Sequence, residues 1–218
     1  MPGPTTNPGP TGIAGRGRSR GEQQRSLETR AALLTTARRL FGEVGYHATG
    51  TNEIVAQAKV TRGALYHHFD SKEALFEVVY REVASELGDQ AEGATIGMEG
   101  QTLPRILATL DIYLALVSRR PDFQRILLID GPAVFGWQRW RQLRADYSLE
   151  GWVRTLALLI EKGLIDAMPP EPMAHLILAA LDDAALAIAH SGEPDRTRAE
   201  MTAALARLLG GLTLRAAG

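Results

Sequence analysis

Helical spacing of apolar residues is the feature that most constrains the fold of this chain. Between Ser26 and Gly45, the side chains of Leu34, Ala37 and Phe41 recur three or four residues apart, which places them on one face of a helix. Similar segments follow along most of the chain, with glycine and proline between them. No alternating apolar and polar run is longer than a few residues, so no strand is predicted. We therefore predict an all-α protein of about nine helices.

The breakers between the periodic segments give the expected organisation. Residues 1–25 are rich in arginine, glycine and proline and are predicted to be a disordered arm, which could contact DNA or remain a solvated tail. A loop is predicted for residues 88–100, and bends in a long later helix are predicted at Gly136 and Gly151. Helices are predicted over residues 26–44, 51–58, 61–68, 71–87, 102–118, 121–129, 133–162, 170–190 and 194–209.

Composition removes several classes of protein. The 218 residues include no cysteine, which excludes a disulfide scaffold, a cysteine-ligated metal and a thiol nucleophile. The longest apolar stretch, residues 174–189, is interrupted by Asp182 and Asp183, so no membrane span is expected. No secretory signal is visible, and a cytoplasmic location is expected. The net charge is −1, but residues 1–80 carry +3 and residues 81–218 carry −4, which favours DNA contact through the front of the chain only.

Residues 49–69 have the pattern of a helix-turn-helix. Two short helical segments flank a tight turn at Lys59-Val60. The second segment would expose a polar surface without acidic residues, and its Arg62 lies near the helix N-terminus, where a side chain can reach base edges in the major groove. The small residues Gly63 and Ala64 would let the backbone approach DNA closely.

A longer motif surrounds this segment. It reads Thr29-Arg30-x-x-Leu33-Leu34-x-x-Ala37-x-x-Leu40-Phe41-x-x-x-Gly45-Tyr46, then Ala48-Thr49, Glu53-Ile54-x-x-x-Ala58, and Val60-Thr61-Arg62-Gly63-Ala64-Leu65-Tyr66-His67-His68-Phe69-Asp70-Ser71-Lys72-Glu73-Ala74-Leu75. About residues 26–80 thereby resemble the N-terminal DNA-binding domain of TetR-family transcriptional regulators. Three positions depart from that pattern: Lys59 replaces the usual turn glycine, Gly50 replaces a Ser or Thr cap, and Val55 replaces an alanine.

The resemblance implies both architecture and function. It implies a homodimer with a DNA-binding domain at residues 26–80, a connecting helix that starts at residue 71, and a ligand-binding and dimerisation domain at residues 88–218. It implies a repressor that leaves a palindromic operator in double-stranded DNA when a small-molecule effector, apolar or aromatic, binds. Base edges would be contacted by Arg62, Gly63 and Ala64. Phosphates would be contacted mainly by Thr49, Thr51, Thr61, Tyr66, His67 and Lys72.

An aromatic cluster in the middle of the chain is the candidate ligand pocket. Aromatic walls beside irregular backbone suit an apolar or aromatic ligand. Its members are Tyr113, Phe123, Phe135, Trp137, Trp140, Tyr147 and Trp152. A carboxylate-binding role for Arg139, Arg141 or Arg144 is the less favoured alternative to solvent exposure. Asp182 and Asp183 could face the pocket or the dimer axis, but solvent exposure is the favoured expectation for them too.

The last two helices are the candidate dimer interface. Each carries an apolar stripe, and two such helices from each subunit can form a four-helix bundle. The alternative is that the stripes close the core of one protomer. The interface residues predicted are Leu176, Ile177, Ala180, Leu181, Ala184, Ile188, Met201, Leu205, Leu208 and Leu209.

Other functions remain open at this point. The same domains could form an activator, or a regulator that answers a protein partner. An all-α protein that binds and buffers a ligand, with a vestigial helix-turn-helix, is a rival from another class. An enzyme is disfavoured because no G-x-S-x-G, P-loop or H-E-x-x-H motif is present. No cofactor or metal is expected, since adjacent His67 and His68 diverge on a helix.

Overall fold

The computed structural model describes residues 20–97 and 102–211, and it confirms the all-α prediction. Within these residues the chain forms nine α-helices, one of them only three residues long, and one π-helix. In chain order they are α1 (Arg20–Val44), α2 (Thr51–Gln57), α3 (Arg62–His68), α4 (Lys72–Gly93), α5 (Thr102–Arg119), α6 (Pro121–Phe123), the π-helix (Gln124–Asp130), α7 (Gly131–Glu161), α8 (Pro170–Ala189) and α9 (Pro194–Gly210).

The first four helices pack through the apolar face that the sequence predicted. Leu33, Ala37 and Phe41 on α1 are fully buried, and the Phe41 ring meets the Phe76 ring of α4 edge-on with centroids 5.2 Å apart. Burying an aromatic side chain of this size contributes about 1.5–3 kcal/mol. Ile54 of α2 and Leu65 of α3 complete this core and are also fully buried. This packing fixes the angle between α2 and α3.

Two residues in this region have left-handed backbone. Gly45 ends α1 with φ +90°, and Lys59 sits in the α2–α3 turn with φ +57°. Lys59 is the residue that replaces the usual glycine, and a non-glycine residue in this conformation costs on the order of 1 kcal/mol. Gly50 caps α2 without a side-chain hydrogen bond, whereas Ser71 caps α4 by accepting from the N–H of Ala74.

Helix α1 begins earlier than predicted. Residues 20–25 are helical, so the predicted arm is wrong for these six positions, while residues 1–19 lie outside the described part. The extension is rich in good helix formers, and Gln24 donates a hydrogen bond to Glu28 one turn on. Its side chains are almost all exposed, so apolar periodicity gave no signal there.

Helix α4 is longer than predicted. It continues to Gly93, so the predicted loop is wrong for residues 88–93, and residues 98–100 of that loop lie outside the described part. A glycine within a helix costs roughly 1 kcal/mol, but Leu87 and Ala91 are buried on either side of Gly88. Their burial extends the helix past the point where the glycine suggested an end.

The segment from Pro121 to Lys162 departs most from the prediction. Only α6 is α-helical before the chain widens into the π-helix, and α7 begins directly after it at Gly131. Gly136 has φ +72° and ψ +161° and kinks α7, as predicted. Gly151 lies within regular helix, so the bend predicted there is wrong.

Helix α8 has the length and hydropathy of a membrane span, but core helices share both properties. Here it packs against α5, α7 and α9, and eight of its residues are buried. One of the eight is Asp182, whose negative charge is compensated by Arg144 of α7.

Candidate DNA-binding surface and ligand cavity

Helix α3 presents the surface predicted to meet DNA. The hydroxyl of Thr61 caps the helix by accepting a hydrogen bond from the N–H of Ala64 at 3.1 Å. Arg62, Gly63 and Tyr66 are exposed, and so is His67. The Arg62 guanidinium lies 5.6 Å from the centre of the Tyr66 ring, and hydrogen bonding from Arg62 lowers the pKa of the Tyr66 hydroxyl.

The open space at Gly63 suits close approach of another molecule. A Cβ added there would meet nothing nearer than the Thr61 hydroxyl, at 3.8 Å. Packing within the protein therefore does not require glycine at this position. Ala64 is half-buried behind it, and Thr51, at the start of α2, is also partly exposed.

Two residues predicted to bind phosphate instead hold the loop before α2. Thr49 is 1% exposed, and its hydroxyl donates to the Gly45 carbonyl at 2.7 Å, so a phosphate contact by this side chain is wrong. The Lys72 ammonium donates to the carbonyls of Tyr46 and Thr49 at 2.8 and 3.0 Å and lies 4.0 Å from the centre of the Tyr46 ring. The third N–H of the Lys72 ammonium is not used by these two hydrogen bonds. A phosphate contact by Lys72 therefore stays a prediction.

The same loop is held from the other side by the π-helix. Asp130, 8% exposed, accepts a hydrogen bond from the Tyr46 backbone N–H at 2.8 Å through Oδ2. Arg125 donates to the carbonyl of Val44 at 3.1 Å. Burial lowers the pKa of Lys72, and the negative charge of Asp130 opposes that shift. The loop therefore lies between an ammonium from α4 and a carboxylate from the π-helix.

A four-residue ion network ties α1 to α4 and α6. Arg38 of α1 pairs with Glu86 at 2.5 Å and with Asp122 at 3.4 Å. Arg120 pairs with the same two carboxylates at 3.3 and 2.8 Å. Although burial opposes it, hydrogen bonding to Arg120 and Arg38 lowers the pKa of Asp122. This network joins α1 to the helices that lead into the π-helix.

A cavity of about 570 Å³ lies among α4, α5, the π-helix, α7 and α8. Four of the seven predicted aromatics line it, and one wall is formed by Leu127 and Leu128 of the π-helix. The Trp140 indole N–H donates to the Leu127 carbonyl at 2.9 Å, which fixes the ring in that wall. The four predicted residues that line the cavity are Tyr113, Trp140, Tyr147 and Trp152.

The other three predicted pocket residues lie elsewhere. Phe123 is fully buried in the core, and Phe135 packs against the rings of Phe76 and Tyr80 with centroids 5.3 and 5.5 Å away. Trp137 is 64% exposed and touches the cavity only through its neighbour Trp140. The kink at Gly136 separates the two ends of the cluster, so neighbouring aromatics in the sequence do not share one surface.

Two charged residues of this cavity are largely buried, contrary to the favoured expectation. Arg144 and Asp182 both line it and pair with each other, although both were expected to face solvent. Their side chains are only 12% and 11% exposed. The neighbour Asp183 is exposed, as predicted. The position of Asp182 within an otherwise apolar helix was the sequence signal that could have indicated a buried carboxylate. Its partner lies on another helix, 38 positions away.

The predicted dimer stripes are largely core. Six of the ten residues are buried within the protomer, namely Ile177, Leu181, Ala184, Ile188, Leu205 and Leu209. Their assignment to the interface is wrong because α8 and α9 turn this face toward α5 and α7. Leu176 and Leu208 are each 65% exposed, and Ala180 and Met201 are partly buried. Leu176 and Leu208 thus mark the exposed faces of α8 and α9.

Comparison with known proteins agrees with this architecture. Residues 33–79 match the family described as bacterial regulatory proteins of the tetR family, and residues 103–212 match the tetracyclin repressor-like C-terminal domain. A TetR-family transcriptional regulator from Pectobacterium atrosepticum is 33% identical, with a TM-score of 0.74 over 91% of this chain and 99% of that one. RolR, solved in complex with its ligand resorcinol, is 18% identical with a TM-score of 0.67 over 85% of this chain and 89% of that one, and it shares the fold.

Curated relatives match mainly over the first helices. The A-factor receptor protein of Streptomyces griseus is 36% identical over 34% of this chain and 27% of its own length. The probable acrEF/envCD operon repressor of Escherichia coli (strain K12) is 33% identical over 48% of this chain and 47% of its own length. The chain thus spans half or less of these relatives. The two family matches and the Pectobacterium atrosepticum structure show that this chain belongs to the TetR family of transcriptional regulators, which bind DNA through a helix-turn-helix.

Proposed function

We propose that this regulator is a homodimeric repressor that binds a palindromic operator and leaves it when a small apolar or aromatic effector enters the cavity. It would act in the cytoplasm, where its operator lies. Arg62 and the open backbone at Gly63 would read base edges, with Ala64 behind them. Thr51, Thr61, Tyr66, His67 and the remaining N–H of Lys72 would bind phosphates.

A second copy supplies the other half of such a site. A helix-turn-helix protein reads a palindrome when a dimer places two recognition helices about one helical turn of DNA apart. The outer faces of α8 and α9 would form the interface through Leu176 and Leu208. Both side chains are apolar and exposed, so contact with a second copy would remove them from water. The effector then acts by changing the separation of the two α3 helices.

One observation carries this proposal. The π-helix contacts both parts of the molecule: Leu127 and Leu128 line the cavity, while Asp130 binds the loop that leads into α2. A ligand that displaces Trp140 or Leu128 would therefore move the residues that hold Tyr46. About one turn of helix thus separates the cavity wall from the residue that binds the loop before α2.

The nature of the effector has support from the cavity wall. Five aromatic side chains line it, which favours a ligand with flat, apolar faces. RolR has the same fold and binds resorcinol, a small aromatic compound. A curated relative is named as an operon repressor, which agrees with the proposed direction of regulation.

Fluorescence anisotropy on labelled DNA from beside the protein's own gene tests this proposal. We expect saturable binding that is far tighter than to random DNA and that weakens with salt by about 0.9 log units in the binding constant per log unit of salt for each phosphate contacted. We also expect transcription in vitro to fall when the operator is occupied. Binding no tighter than to random DNA would favour a protein that buffers its ligand. Increased transcription would favour an activator.

A further inference from the structure

The inner end of the cavity contains one pair of opposite charges. Arg144 of α7 and Asp182 of α8 face each other there, and the guanidinium lies 5.4 Å from the centre of the Trp140 ring. The other charged residues at the cavity are Glu92, Arg105, Arg154 and Lys162. Three of these four are exposed and Arg105 is half-buried, so they belong to the outer end.

This pair leaves the inner end electrically neutral. A ligand carboxylate placed there would put two negative charges beside one guanidinium, and a ligand ammonium would put two positive charges beside one carboxylate. Either arrangement leaves a charge out of water without a partner, which is strongly unfavourable. Burial raises the pKa of Tyr113 to about 12 and raises that of Tyr80 as well, so both hydroxyls stay uncharged at neutral pH.

The pair still has unused hydrogen-bonding groups. Arg144 uses Nη1 for Asp182 and for the Leu178 carbonyl at 3.1 Å, and among the described residues its buried Nε has no hydrogen-bond partner. Asp182 pairs with Arg144 through Oδ2, and its other carboxylate oxygen, Oδ1, is a second acceptor. The pair therefore offers both a donor and an acceptor. A hydroxyl group is the simplest uncharged group that both accepts and donates a hydrogen bond.

We propose that the inner end of the cavity binds an uncharged aromatic ring that carries a hydroxyl group, which accepts from Arg144 and donates to Asp182. The ring lies against Trp140 and Tyr113, and any anionic substituent of the ligand lies at the outer end near Arg105 and Lys162. This inference rests on the proposed function, because it takes the cavity to be the effector site.

Isothermal titration calorimetry on the full-length, DNA-free protein tests it with three probes that share one ring system. At neutral pH, 2-naphthol is uncharged, 2-naphthoate is an anion and 2-naphthylmethylamine is a cation. We expect 2-naphthol to bind about tenfold more tightly than either charged probe, or better. Tighter binding of a charged probe, or no binding of 2-naphthol, overturns the inference.

Two substitutions at the pair should change the preference in opposite directions. Asp182→Asn leaves the guanidinium uncompensated, so 2-naphthoate should become the tightest ligand. Arg144→Gln leaves the carboxylate uncompensated, so 2-naphthylmethylamine should become the tightest. The exposed controls Asp166→Asn and Arg196→Gln should keep the wild-type order. If both Asp182→Asn and Arg144→Gln keep the wild-type ranking of the three probes, the inference is overturned. Circular dichroism verifies that each variant is folded.

The outcome is separable from that of the proposed function. These titrations contain no DNA, so a protein that prefers charged probes loses this inference while operator binding and its release by another compound stand. Conversely, a protein that prefers 2-naphthol but has no operator keeps this inference and loses the proposed repressor function. The wild-type ranking alone decides the inference even when a variant fails to fold.

Discussion

Replacing Asp130 tests the connection between the cavity wall and the DNA-binding helices. Its carboxylate, 8% exposed, accepts the Tyr46 N–H at 2.8 Å and lies close enough to Lys72 to influence its pKa. A hydrogen bond to a charged group contributes about 1.5–3 kcal/mol, and a buried donor without a partner costs a similar amount. Asp130→Ala should therefore lower the free energy of unfolding by about 2 kcal/mol. Asp130→Asn keeps an acceptor without the charge and should cost about half as much.

The same substitution should weaken DNA binding. Without Asp130, the Tyr46 N–H loses its partner and the loop before α2 keeps only the contacts of Lys72, Arg125 and Thr49. The orientation of α2 and α3 is then less fixed. We expect operator affinity to fall by about 0.5–2 kcal/mol, within the range found for residues that couple two sites without touching either ligand. The free energy of unfolding is measured by urea titration at fixed protein concentration, since dimers are concentration-dependent. Operator affinity is measured by anisotropy.

The control is Asp166→Ala, an exposed aspartate in the loop between α7 and α8. It should change the free energy of unfolding by no more than about 0.5 kcal/mol. Two results would contradict this role of Asp130: Asp130→Ala as stable as this control, or a larger loss in the free energy of unfolding for Asp130→Asn than for Asp130→Ala. Normal stability would mean that Asp130 does not hold the loop. If Asp130→Ala lost the expected stability but kept its operator affinity, the loop would not control the orientation of α2 and α3.

Three further predictions concern the surface, the kink and the cavity. Arg62→Ala should cost about 1–3 kcal/mol at the operator and relax base preference there, as measured by anisotropy on operators with single base changes; an unchanged preference would place base readout elsewhere. Gly136→Ala should destabilise by about 1–3 kcal/mol because its φ of +72° and ψ of +161° suit glycine alone. Gly151→Ala, within regular helix, should stabilise by roughly 0.5–1 kcal/mol. If urea titrations showed that both alanine substitutions change the free energy of unfolding in the same direction, the backbone conformations would not explain the effects. Because burial raises the pKa of Tyr113 to about 12 while the unfolded chain titrates near 10, its contribution to stability is complete below about pH 10 and is lost as the pH rises toward 12. Tyr113→Phe should therefore reduce the alkaline loss by at most about 1.4 kcal/mol per pH unit, and an unchanged slope would show that Tyr113 titrates normally.

The sequence predicted the helix-turn-helix well because its signals are local. The cap at Thr61, the turn at Lys59 and the buried Leu65 all act within a few residues of one another. The same locality explains why α1 could not be traced back to Arg20. Exposed residues extend a helix through backbone propensity and i,i+4 pairs, and these leave no apolar pattern.

The C-terminal half was predicted less well because an apolar stripe shows that a face is buried without showing what buries it. Leu181 and Leu205 face the core of their own protomer, whereas Leu176 and Leu208 face outward, and all four have similar side chains. Tertiary partners decide between these outcomes, and they come from distant parts of the chain.

The charged pair of the cavity illustrates the same difficulty. Asp182 is buried because Arg144 on another helix compensates its charge, and no short-range pattern joins the two residues. The π-helix is a further case. Its seven residues have ordinary helical composition, and their wider winding becomes evident only in the backbone.

The most direct test of the account is to measure the affinity of one ligand for two states of the protein. 2-Naphthol is titrated by calorimetry into the free dimer and into the dimer saturated with its operator. If cavity occupancy and operator binding oppose each other, linkage requires the operator to weaken ligand binding by the same factor by which the ligand weakens operator binding. We expect operator-bound protein to bind 2-naphthol at least about tenfold more weakly than the free dimer does, which corresponds to about 1.4 kcal/mol of coupling or more. Equal affinities in the two states would show that the cavity does not control the DNA-binding helices and would contradict the account.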